Sequence, residues 1–509
     1  MSEAGARKKT RVAILGGGVG AMTAAFELTN PRNPRCDDYD VTVYQMGWRI
    51  GGKGASGRNP DDAYRIEEHG LHMWFGSYDN AFRVIRECYE ELDRPPDAPL
   101  ATWDEAFKPA SFTVKMEKVD GEWQYWYGHE PTNDETPGEG PRLLSIWEYF
   151  SEFLLWLRQQ ERGAPYLPPS PTGDVPWHPA KGAASFLDRL GGWISTAIVY
   201  GVTWILLRVH FLARVVNALG GLLVALMRPL MWFKWVRSRR DMKTDGAKRH
   251  SWIMANLIYG TLRGFVKHDV IRNGFSVIDD YDYRDWVSRY VYPDDGWAVN
   301  SGFMLSLYDG CFAYEDGDNQ IPEGERFSPK ANMSAAVVAY CGIRWYLSYK
   351  GAWIFKMQAG MGDVVFGPLY EVLRRRGVKF EFFHRVMAIE AAEDGSTVER
   401  IRVQRQVDVK PDAEGRREYR PLITVKGLPC WPDRPLYDQL EQGEEIREKG
   451  IDLESYVGWE GVGEKTLENG RDFDVVVCGI SIGGLPYVAE DLIGKSPKWK
   501  ASVDGVKTV

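Results

Sequence analysis

The chain has 509 residues, 44% of them hydrophobic and 26% charged, which is typical of a soluble globular protein with two or three domains. Its formal net charge of −8 at pH 7 argues against general binding to nucleic acids. The 6 cysteines are far apart and include no C-x-x-C pair, which disfavours a disulfide framework and a zinc site and favours a reducing compartment. The apolar run after the basic N-terminus is shorter than the roughly 7–15 residues of a signal peptide core, so we predict a cytoplasmic protein. The cysteine spacing disfavours a zinc site, and we predict that no metal is bound.

The first predicted element is a strand, a tight glycine turn and a helix in succession. Residues 12–15 form an apolar run, three glycines follow, and a helix-forming run extends to Leu28. This order is typical of a dinucleotide-binding βαβ unit, in which Gly16 permits the turn, Gly18 lets the backbone approach a pyrophosphate, and Ala21 lets the helix pack on the strand. The pyrophosphate then lies at the helix N-terminus. The candidate cofactor-binding residues of this turn are Gly16, Gly18, Val19, Gly20 and Ala21.

A second strand and a second glycine-rich turn follow this helix. The strand spans residues 40–44 and ends at Gln45, where such units usually place an acid that binds the ribose hydroxyls. Gln45 can still hydrogen-bond a ribose, but without the strength that the charge of a carboxylate adds. The turn has the sequence R-I-G-G-K and supplies four more candidate cofactor-binding residues, Arg49, Gly51, Gly52 and Lys53.

The order of these motifs resembles that of a known family. A GGGxxA turn, a strand, an R-x-G-G-K turn and the sequence EHGLHMWFGSYDNAF at residues 68–82 are similar to the phytoene and ζ-carotene desaturase branch of the flavin amine-oxidase superfamily. The resemblance implies a cofactor, FAD, that the R-x-G-G-K turn contacts. It also implies that the segment with His69 and His72 passes near the isoalloxazine ring, so both are candidate catalytic residues. Either histidine can instead simply hydrogen-bond the backbone, and Glu68 and Tyr78 are weaker candidates.

The next part of the chain predicts helices and one β-hairpin. Residues 81–92 have the spacing of an amphipathic helix. Apolar and polar residues alternate on both sides of an Asp-Gly turn between residues 112 and 127, which indicates a hairpin. Residues 144–157 predict an apolar helix, and residues 165–179 form a proline-rich connection.

Residues 190–240 differ from the rest of the chain because they contain no acidic side chain. Their two apolar stretches, 191–207 and 215–227, are both shorter than the roughly 20 residues of a membrane-spanning helix. Two helices in the membrane interface fit better, with tryptophans at headgroup depth and a basic end toward anionic lipid. The alternative is an internal helical pair of the substrate domain. The positive residues are Arg208, Arg214, Arg228, Lys234, Arg237, Arg239 and Arg240.

An α/β pattern returns in the last third of the chain. Residues 353–357 and 378–383 predict strands, and between them Asp363 can cap a helix. In the resembled family this strand, helix and strand return the chain to the FAD domain. The R-V-x-x-I sequence at residues 385–389 matches the family's adenine-contacting strand. The resemblance therefore makes Val386 a candidate cofactor-binding residue through its backbone.

The C-terminal part predicts an antiparallel insertion at residues 398–425 and a long acidic loop region at residues 429–470. A buried strand at residues 474–477 then leads to further glycines. The resembled family carries one more glycine-rich turn and helix after that strand, which close over the flavin, and nothing similar follows in this sequence. Three explanations stay open: a fragment, a partner polypeptide that supplies the closing segment, or impaired flavin binding.

Together these elements predict an α/β protein with a discontinuous Rossmann-like FAD-binding domain and an α+β substrate domain that carries a membrane-associating helical segment. The predicted boundaries are 1–95 and 351–400 for the two parts of the FAD domain, 96–350 for the substrate domain with interfacial helices at 190–240, 401–470 for the insertion and loop, and 471–509 for the return strand.

The function that the resemblance implies is that of an FAD-dependent oxidoreductase. It would remove hydride from a lipophilic, carotenoid- or polyene-like substrate at the membrane surface, and both desaturation and double-bond isomerisation fit. One alternative is an amine or porphyrinogen oxidase of the same fold, which would have a soluble acidic or aromatic pocket. The other is a non-catalytic, membrane-bound subunit that needs a partner chain, which agrees with Gln45 in place of an acid. A fold alone does not name a substrate.

Overall fold

The computed structural model describes residues 8–70, 72–110, 112–129, 132–139, 213–325 and 327–506. They form two compact units: the first contains the described parts of residues 1–74, 79–108 and 355–507, and the second contains those of 75–78 and 109–354. The predicted helix at residues 144–157, the proline-rich connection at 165–179 and the first interfacial stretch at 191–207 lie outside the described residues.

The described residues form strands β1 to β16 and helices α1 to α14, most of them short. The strands are β1 (Thr10–Leu15), β2 (Tyr39–Tyr44), β3 (Ser56–Asn59), β4 (Arg65–Glu68), β5 (Trp74–Phe75), β6 (Phe107–Ala110), β7 (Phe112–Val119), β8 (Glu122–His129), β9 (Ile354–Met357), β10 (Lys379–Glu381), β11 (His384–Ala391), β12 (Val398–Arg405), β13 (Ile423–Val425), β14 (Leu428–Cys430), β15 (Gly463–Glu468) and β16 (Val475–Cys478). The helices are α1 (Val19–Thr29), α2 (Asp79–Leu92), α3 (Trp103–Ala106), α4 (Ala213–Ser238), α5 (Gly246–Lys267), α6 (Val270–Asn273), α7 (Tyr283–Ser288), α8 (Gly302–Cys311), α9 (Ala335–Leu347), α10 (Gly367–Arg375), α11 (Gly443–Lys449), α12 (Leu485–Val488), α13 (Glu490–Lys495) and α14 (Pro497–Asp504).

A four-stranded parallel sheet organises the first unit. Its strand order is β10-β2-β1-β16, and β1 runs parallel to both of its neighbours, with Ile14 opposite Val43 on one side and Val477 on the other. Ile14 is fully buried, because β1 is paired along both edges and α1 packs against it. The strands predicted at residues 40–44 and 378–383 are β2 and β10. The α/β prediction for this part of the chain is therefore confirmed.

The outer strand β16 is more exposed than the sequence predicts. Val475 has 47% of its surface exposed, so the prediction of a buried strand at residues 474–477 is wrong. A run of valines shows that a strand is apolar but does not show whether it has neighbours on both edges. Arg11 fixes the strand by donating from its backbone N and its Nε, both at 2.9 Å, to Asp474 Oδ2. The hydrogen bonds from Arg11 hold the pKa of the Asp474 carboxyl well below its ordinary value.

A three-stranded antiparallel sheet, β11-β12-β15, also belongs to the first unit. In its middle strand, Ile401 lies opposite Ile389 of β11 and Leu467 of β15. These side chains join residues of α12 and α13 in one buried apolar cluster. Residues 429–470, which the sequence predicts as a loop region, contain α11 and β15. The sequence does not reveal β15 because half of its residues are polar and exposed.

Asp363 does not cap a helix as the sequence predicts. It lies in a π-helical turn, Gly362–Phe366, that precedes α10, and it is 2% exposed. Arg58 Nη2 of β3 donates to its Oδ2 at 2.7 Å, and the Gly360 N–H donates to the same oxygen at 3.1 Å. Burial raises the pKa of the Asp363 carboxyl, and the Arg58 guanidinium opposes that rise. The capping prediction fails because a buried carboxylate needs a cation more than it needs helix amides.

The second unit has a helical core. The fully buried Trp286 of α7 packs among apolar side chains of α5, α8 and α9. A separate cluster joins α4 to α5 through Met231, Trp252 and Tyr259. Helix α4 continues through Pro229, so the predicted interfacial stretch at residues 215–227 is part of a longer helix. Among the helices that the structure describes, none is long and apolar enough to cross a membrane.

The predicted β-hairpin is confirmed as β7 and β8. Val119 lies opposite Glu122, and the two residues between them, Asp120 and Gly121, have φ values of 51° and 88°, as a tight two-residue loop requires. One face of the hairpin turns a buried Glu117 toward Arg249 of α5, which is fully buried as well. The other face presents large apolar side chains to solvent, among them Phe112, Val114, Met116, Trp123 and Tyr125.

We expect the substitution Gly479→Ala to destabilise the first unit. A Cβ at Gly479 would lie 2.6 Å from the Ala21 Cβ and 2.9 Å from the Leu15 carbonyl oxygen. Overpacking of this kind lowers the free energy of unfolding by about 1–3 kcal/mol. The control is Gly494→Ala in α13, because no described atom lies within 4 Å of that position and alanine favours a helix. Urea unfolding measures both variants, and equal stability of Gly479→Ala and the wild type would contradict this packing.

Candidate functional site

The glycine turn at residues 16–18 connects β1 to α1 at the carboxyl end of the parallel sheet. Gly16 has a φ of +94°, which favours glycine, and its N–H donates to the Tyr44 carbonyl of β2 at 2.8 Å. A Cβ on Gly18 or Gly20 would meet no atom of the described chain within 4 Å, so the space beside the start of α1 is open. The helix has no side-chain cap and no acid in its first turn. Its N-terminal partial positive charge is therefore available to an anion.

The basic turn at residues 49–53 packs directly on the glycine turn. The Gly51 N–H donates to the Gly17 carbonyl at 2.8 Å. Gly51 and Gly52 have φ values of +132° and +58°, so both positions favour glycine. A Cβ at Gly52 would also lie 3.2 Å from the Gly18 Cα. The two turns can approach this closely only because both are made of glycines.

Three predicted site residues surround the pair of turns. The Gln45 side chain covers the glycine turn, because its Oε1 would lie 2.7 Å from a Cβ at Gly17. Lys53 is exposed and adds a positive charge at the end of the basic turn. Ala21 is 2% exposed and packs against Gly479, which agrees with the need for a small side chain between helix and strand.

Arg49 forms an ion pair with Glu454, a residue that no sequence motif singles out. Arg49 Nε donates to Glu454 Oε1 at 3.0 Å, and Nη2 donates to Oε2 at 2.8 Å. Two parallel hydrogen bonds make this the strong form of an arginine–carboxylate pair. The guanidinium also lies over the Trp48 ring, 5.1 Å from its centroid. The side chains of Arg49 and Glu454 are 11% and 25% exposed, so the pair is largely but not fully withdrawn from solvent.

Of the two candidate histidines, the structure brings His72 to the basic turn and leaves His69 exposed. His72 Nε2 lies 3.2 Å from the Lys53 carbonyl oxygen, and Nδ1 lies 3.4 Å from Glu68 Oε2. Glu68 Oε1 in turn accepts the Met361 N–H at 2.5 Å. Contacts at both ring nitrogens therefore hold His72 between the basic turn and Glu68.

Val386 has a buried side chain and a carbonyl that faces a tyrosine. The side chain is 8% exposed and belongs to the same apolar cluster as Leu15 and Tyr44. The Tyr456 hydroxyl donates to the Val386 carbonyl at 3.5 Å. A ligand that reached the backbone of Val386 would therefore lie beside Tyr456. The weaker candidate Tyr78 belongs to the second unit.

The two turns fit the diphosphate of a dinucleotide. The start of α1 offers N–H groups without a side-chain cap, Gly18 and Gly20 leave open space beside it, and Lys53 supplies a positive charge. This combination can hold a doubly negative group against the backbone without burying an unpaired charge. Among the described residues, no group of three or more His, Cys, Asp or Glu side chains could hold a metal ion.

Comparison with known proteins agrees with this geometry. Residues 14–88 match the model of the NAD(P)-binding Rossmann-like domain. The match includes the glycine turn, β2, the basic turn and the segment with both histidines. The first unit therefore contains an NAD(P)-binding Rossmann-like domain.

The similar curated proteins include three plant enzymes named ζ-carotene desaturase, chloroplastic/chromoplastic. They come from Solanum lycopersicum, Capsicum annuum and Arabidopsis thaliana, and each is 35% identical to this chain over 83 residues. The aligned part is 16% of this chain and 13% of each relative. The chain thus aligns with only a small part of the length of these curated relatives.

Two features of the site have no signal in the sequence. Glu454 lies in the acidic region at residues 429–470, where many carboxylates precede it, and it is 405 positions from Arg49. Tyr456 lies 70 positions from Val386 and belongs to none of the motifs in the sequence. The paired strands β11, β12 and β15 and the long-range hydrogen bonds of Gln406 bring this region to the end of β2. A bidentate arginine partner could be expected for Arg49, but its position in the chain could not.

We expect Gly18→Val to abolish nucleotide binding and to leave the fold intact. Gly18 has a φ of −71° and a ψ of 173°, which valine adopts freely, and its Cβ would meet no described atom within 4 Å. A ligand diphosphate in that space would collide with the new side chain. Isothermal titration calorimetry with ADP should show at least about a tenfold loss of affinity, equal to about 1.4 kcal/mol. The comparison variant is Gly17→Val, which should unfold the unit because Ile50 lies 2.8 Å from the new Cβ. Undiminished ADP binding by Gly18→Val would place the nucleotide elsewhere.

Proposed function

We propose that the first unit binds FAD and that the protein is an FAD-dependent oxidoreductase. The observation that carries the proposal is the open space at the start of α1, beside the interlocked glycine turn and basic turn. The helix N-terminus and Lys53 would hold the diphosphate. The 83-residue similarity to ζ-carotene desaturases and the motif order of the flavin amine-oxidase superfamily favour FAD over a nicotinamide nucleotide.

We further propose a lipophilic, carotenoid- or polyene-like substrate that the enzyme desaturates or isomerises. The support is the name of the relatives, which are ζ-carotene desaturases. In a desaturation, FAD, when bound, would accept a hydride from one carbon of the substrate, and the proton lost from the adjacent carbon would pass to solvent. The chain itself would orient the substrate and exclude water. His72, whose ring nitrogens lie 3.2 Å from the Lys53 carbonyl oxygen and 3.4 Å from Glu68 Oε2, would help to hold the basic turn next to the cofactor.

The absorption spectrum of the purified protein tests the cofactor. We expect the visible bands of oxidised flavin in the wild type and their absence in Gly18→Val. Anaerobic addition of liposomes that contain ζ-carotene should bleach these bands if the substrate is a polyene, because a desaturase passes the hydride to the flavin. Liposomes without carotenoid are the control. A colourless protein that binds NADH but no flavin would contradict the proposal.

We also propose that α4 attaches the protein to a membrane surface. Its exposed apolar side chains recur every three or four residues and so share one face of the helix; they are Leu222 (57% exposed), Leu226 (45%), Leu230 (53%) and Phe233 (56%). Met231, which is 4% exposed, and Trp235 instead pack with Trp252 of α5. The helix thus offers one apolar face to its own unit and a second one to solvent. A lipid interface is the kind of surface that covers such a face.

The charges around α4 favour an anionic membrane. Arg228, Arg239 and Arg240 are exposed, and residues 213–240 contain no acid although the whole chain has a net charge of −8. Each basic residue near an anionic surface contributes about 1 kcal/mol of binding free energy. Trp232 is 56% exposed, and tryptophan favours the depth of the headgroups. A bilayer with anionic headgroups is therefore the occupant that we propose for this face.

Sedimentation with lipid vesicles tests this attachment. The double variant Leu226→Asp and Leu230→Asp should no longer sediment with vesicles of mixed phosphatidylserine and phosphatidylcholine, because two charges would enter the apolar layer. The matched control is Val457→Asp with Tyr487→Asp, which are 74% and 76% exposed in the first unit. High salt should weaken wild-type binding, since exposed charges are screened. Equal sedimentation of the two double variants would refute the proposal.

A further inference from the structure

We propose that Glu454 is the residue that recognises the ribose of the bound nucleotide, and that Arg49 positions it. The inference rests on the dinucleotide site proposed above and names a ligand residue that the motifs of that site do not contain. Dinucleotide-binding units commonly use an acid at the end of the second strand to bind the ribose hydroxyls. This chain has Gln45 at that place, so the acid is missing from β2 and must come from elsewhere if the ribose is bound by a carboxylate.

Glu454 brings a carboxylate to the end of β2. Its Cγ lies 2.5 Å from the position of a Cβ on Gly47, which is two residues beyond Gln45. Only a glycine at that position leaves room for this side chain. Arg49 then binds both carboxylate oxygens from one side, at 3.0 and 2.8 Å. A carboxylate accepts about four hydrogen bonds in all, so acceptor positions stay available for two ribose hydroxyls.

The backbone that carries Glu454 is held rigidly at this place. The fully buried Gln406 donates from Nε2 to the Met46 carbonyl at 2.7 Å and to the Leu453 carbonyl at 2.9 Å. It therefore joins the end of β2 to the residue that precedes Glu454. Arg385 of β11, which is 3% exposed, donates to the Tyr456 carbonyl at 2.7 Å. A ligand group fixed by the surrounding structure loses little freedom on binding, which favours its use in recognition.

The Arg49–Glu454 pair also explains how the site distributes its charges. Arg49 binds Glu454 through two of its N–H groups. Its positive charge is therefore neutralised by the carboxylate beside the ribose and does not act on the diphosphate. The diphosphate is left to the start of α1 and to Lys53. A carboxylate beside the ribose repels a 2′-phosphate, whereas sites for phosphorylated ribose use an arginine there. The site should therefore select a nucleotide with free ribose hydroxyls.

Calorimetric titration with three nucleotides tests this role without any measurement of activity. The probes are ADP, 2′,3′-dideoxy-ADP and ADP with a 2′-phosphate. The wild type should bind ADP about tenfold or more tightly than either analogue. Dideoxy-ADP lacks the hydroxyls that bond to the charged carboxylate, and the 2′-phosphate is repelled by that carboxylate. In Glu454→Gln the preference for ADP over dideoxy-ADP should fall to about twofold or less, since a neutral amide gains little from the hydroxyls. The matched control Glu444→Gln removes an ion-paired carboxylate on α11 and should keep the wild-type preference.

Two further variants separate this role from its alternatives. Gln45→Ala should keep most of the preference for ADP over dideoxy-ADP. If Gln45→Ala loses this preference while Glu454→Gln keeps it, Gln45 binds the ribose and the inference is overturned. Arg49→Lys should lower the preference because lysine cannot hold both carboxylate oxygens, while its affinity for pyrophosphate alone should be unchanged. A loss of pyrophosphate affinity in Arg49→Lys would make Arg49 a diphosphate ligand and overturn its positioning role.

The titrations distinguish a wrong role for Glu454 from the absence of a nucleotide site. A wild type that binds ADP, together with a Glu454→Gln variant of unchanged preference, would overturn the role of Glu454 and leave the nucleotide site standing. A wild type that binds none of the three nucleotides would overturn both. Thermal unfolding of each variant identifies any change that comes from lost structure, and the preference ratio is insensitive to a partly unfolded fraction because it compares two ligands on one sample.

Discussion

The contact between two glycine turns is the constraint on which the first unit depends. The Gly51 N–H bonds to the Gly17 carbonyl, and the backbones come so close at Gly52 and Gly18 that a side chain at Gly52 would press on the other turn. This contact fixes the end of β2 against the start of α1 and defines the opening beside the helix. Arg49 and Lys53, at the two ends of the basic turn, take their positions from that contact.

Local sequence was sufficient to predict the elements that this contact joins. An apolar run, glycines and a helix-forming run predict β1, the glycine turn and α1, because each depends on a few neighbouring residues. The hairpin of β7 and β8 was predictable for the same reason, since an Asp-Gly loop and alternating side chains are short-range signals. The apolar helix at α4 was visible as well, although its continuation through Pro229 was not, because proline usually interrupts a helix.

The features that the sequence did not predict depend on contacts between residues that are far apart in the chain. Glu454 is one of many acids in its region, and the pairing of β12 with β15 together with the hydrogen bonds of Gln406 brings it to Arg49. Asp363 has the residue type and position of a helix cap, yet the guanidinium of Arg58, 305 positions away, takes its carboxylate. The exposure of β16 is a similar case, because the number of neighbours that a strand has cannot be inferred from its own side chains. Predictions from motifs therefore locate the glycines of a site more reliably than the charged residues that complete it.

The pairing of β1 with β16 has a consequence for synthesis of the protein on the ribosome. Arg11 and Asp474, which join the two strands, are 463 positions apart. At roughly 5–20 residues per second, β16 is made on the order of 20 to 90 s after β1. During that interval one edge of β1 has its backbone N–H and C=O groups unpaired, a state that invites pairing with other nascent strands. Formation of the β1–β2 pair covers only the opposite edge of β1, so the edge that pairs with β16 stays open until residues 475–478 have been made.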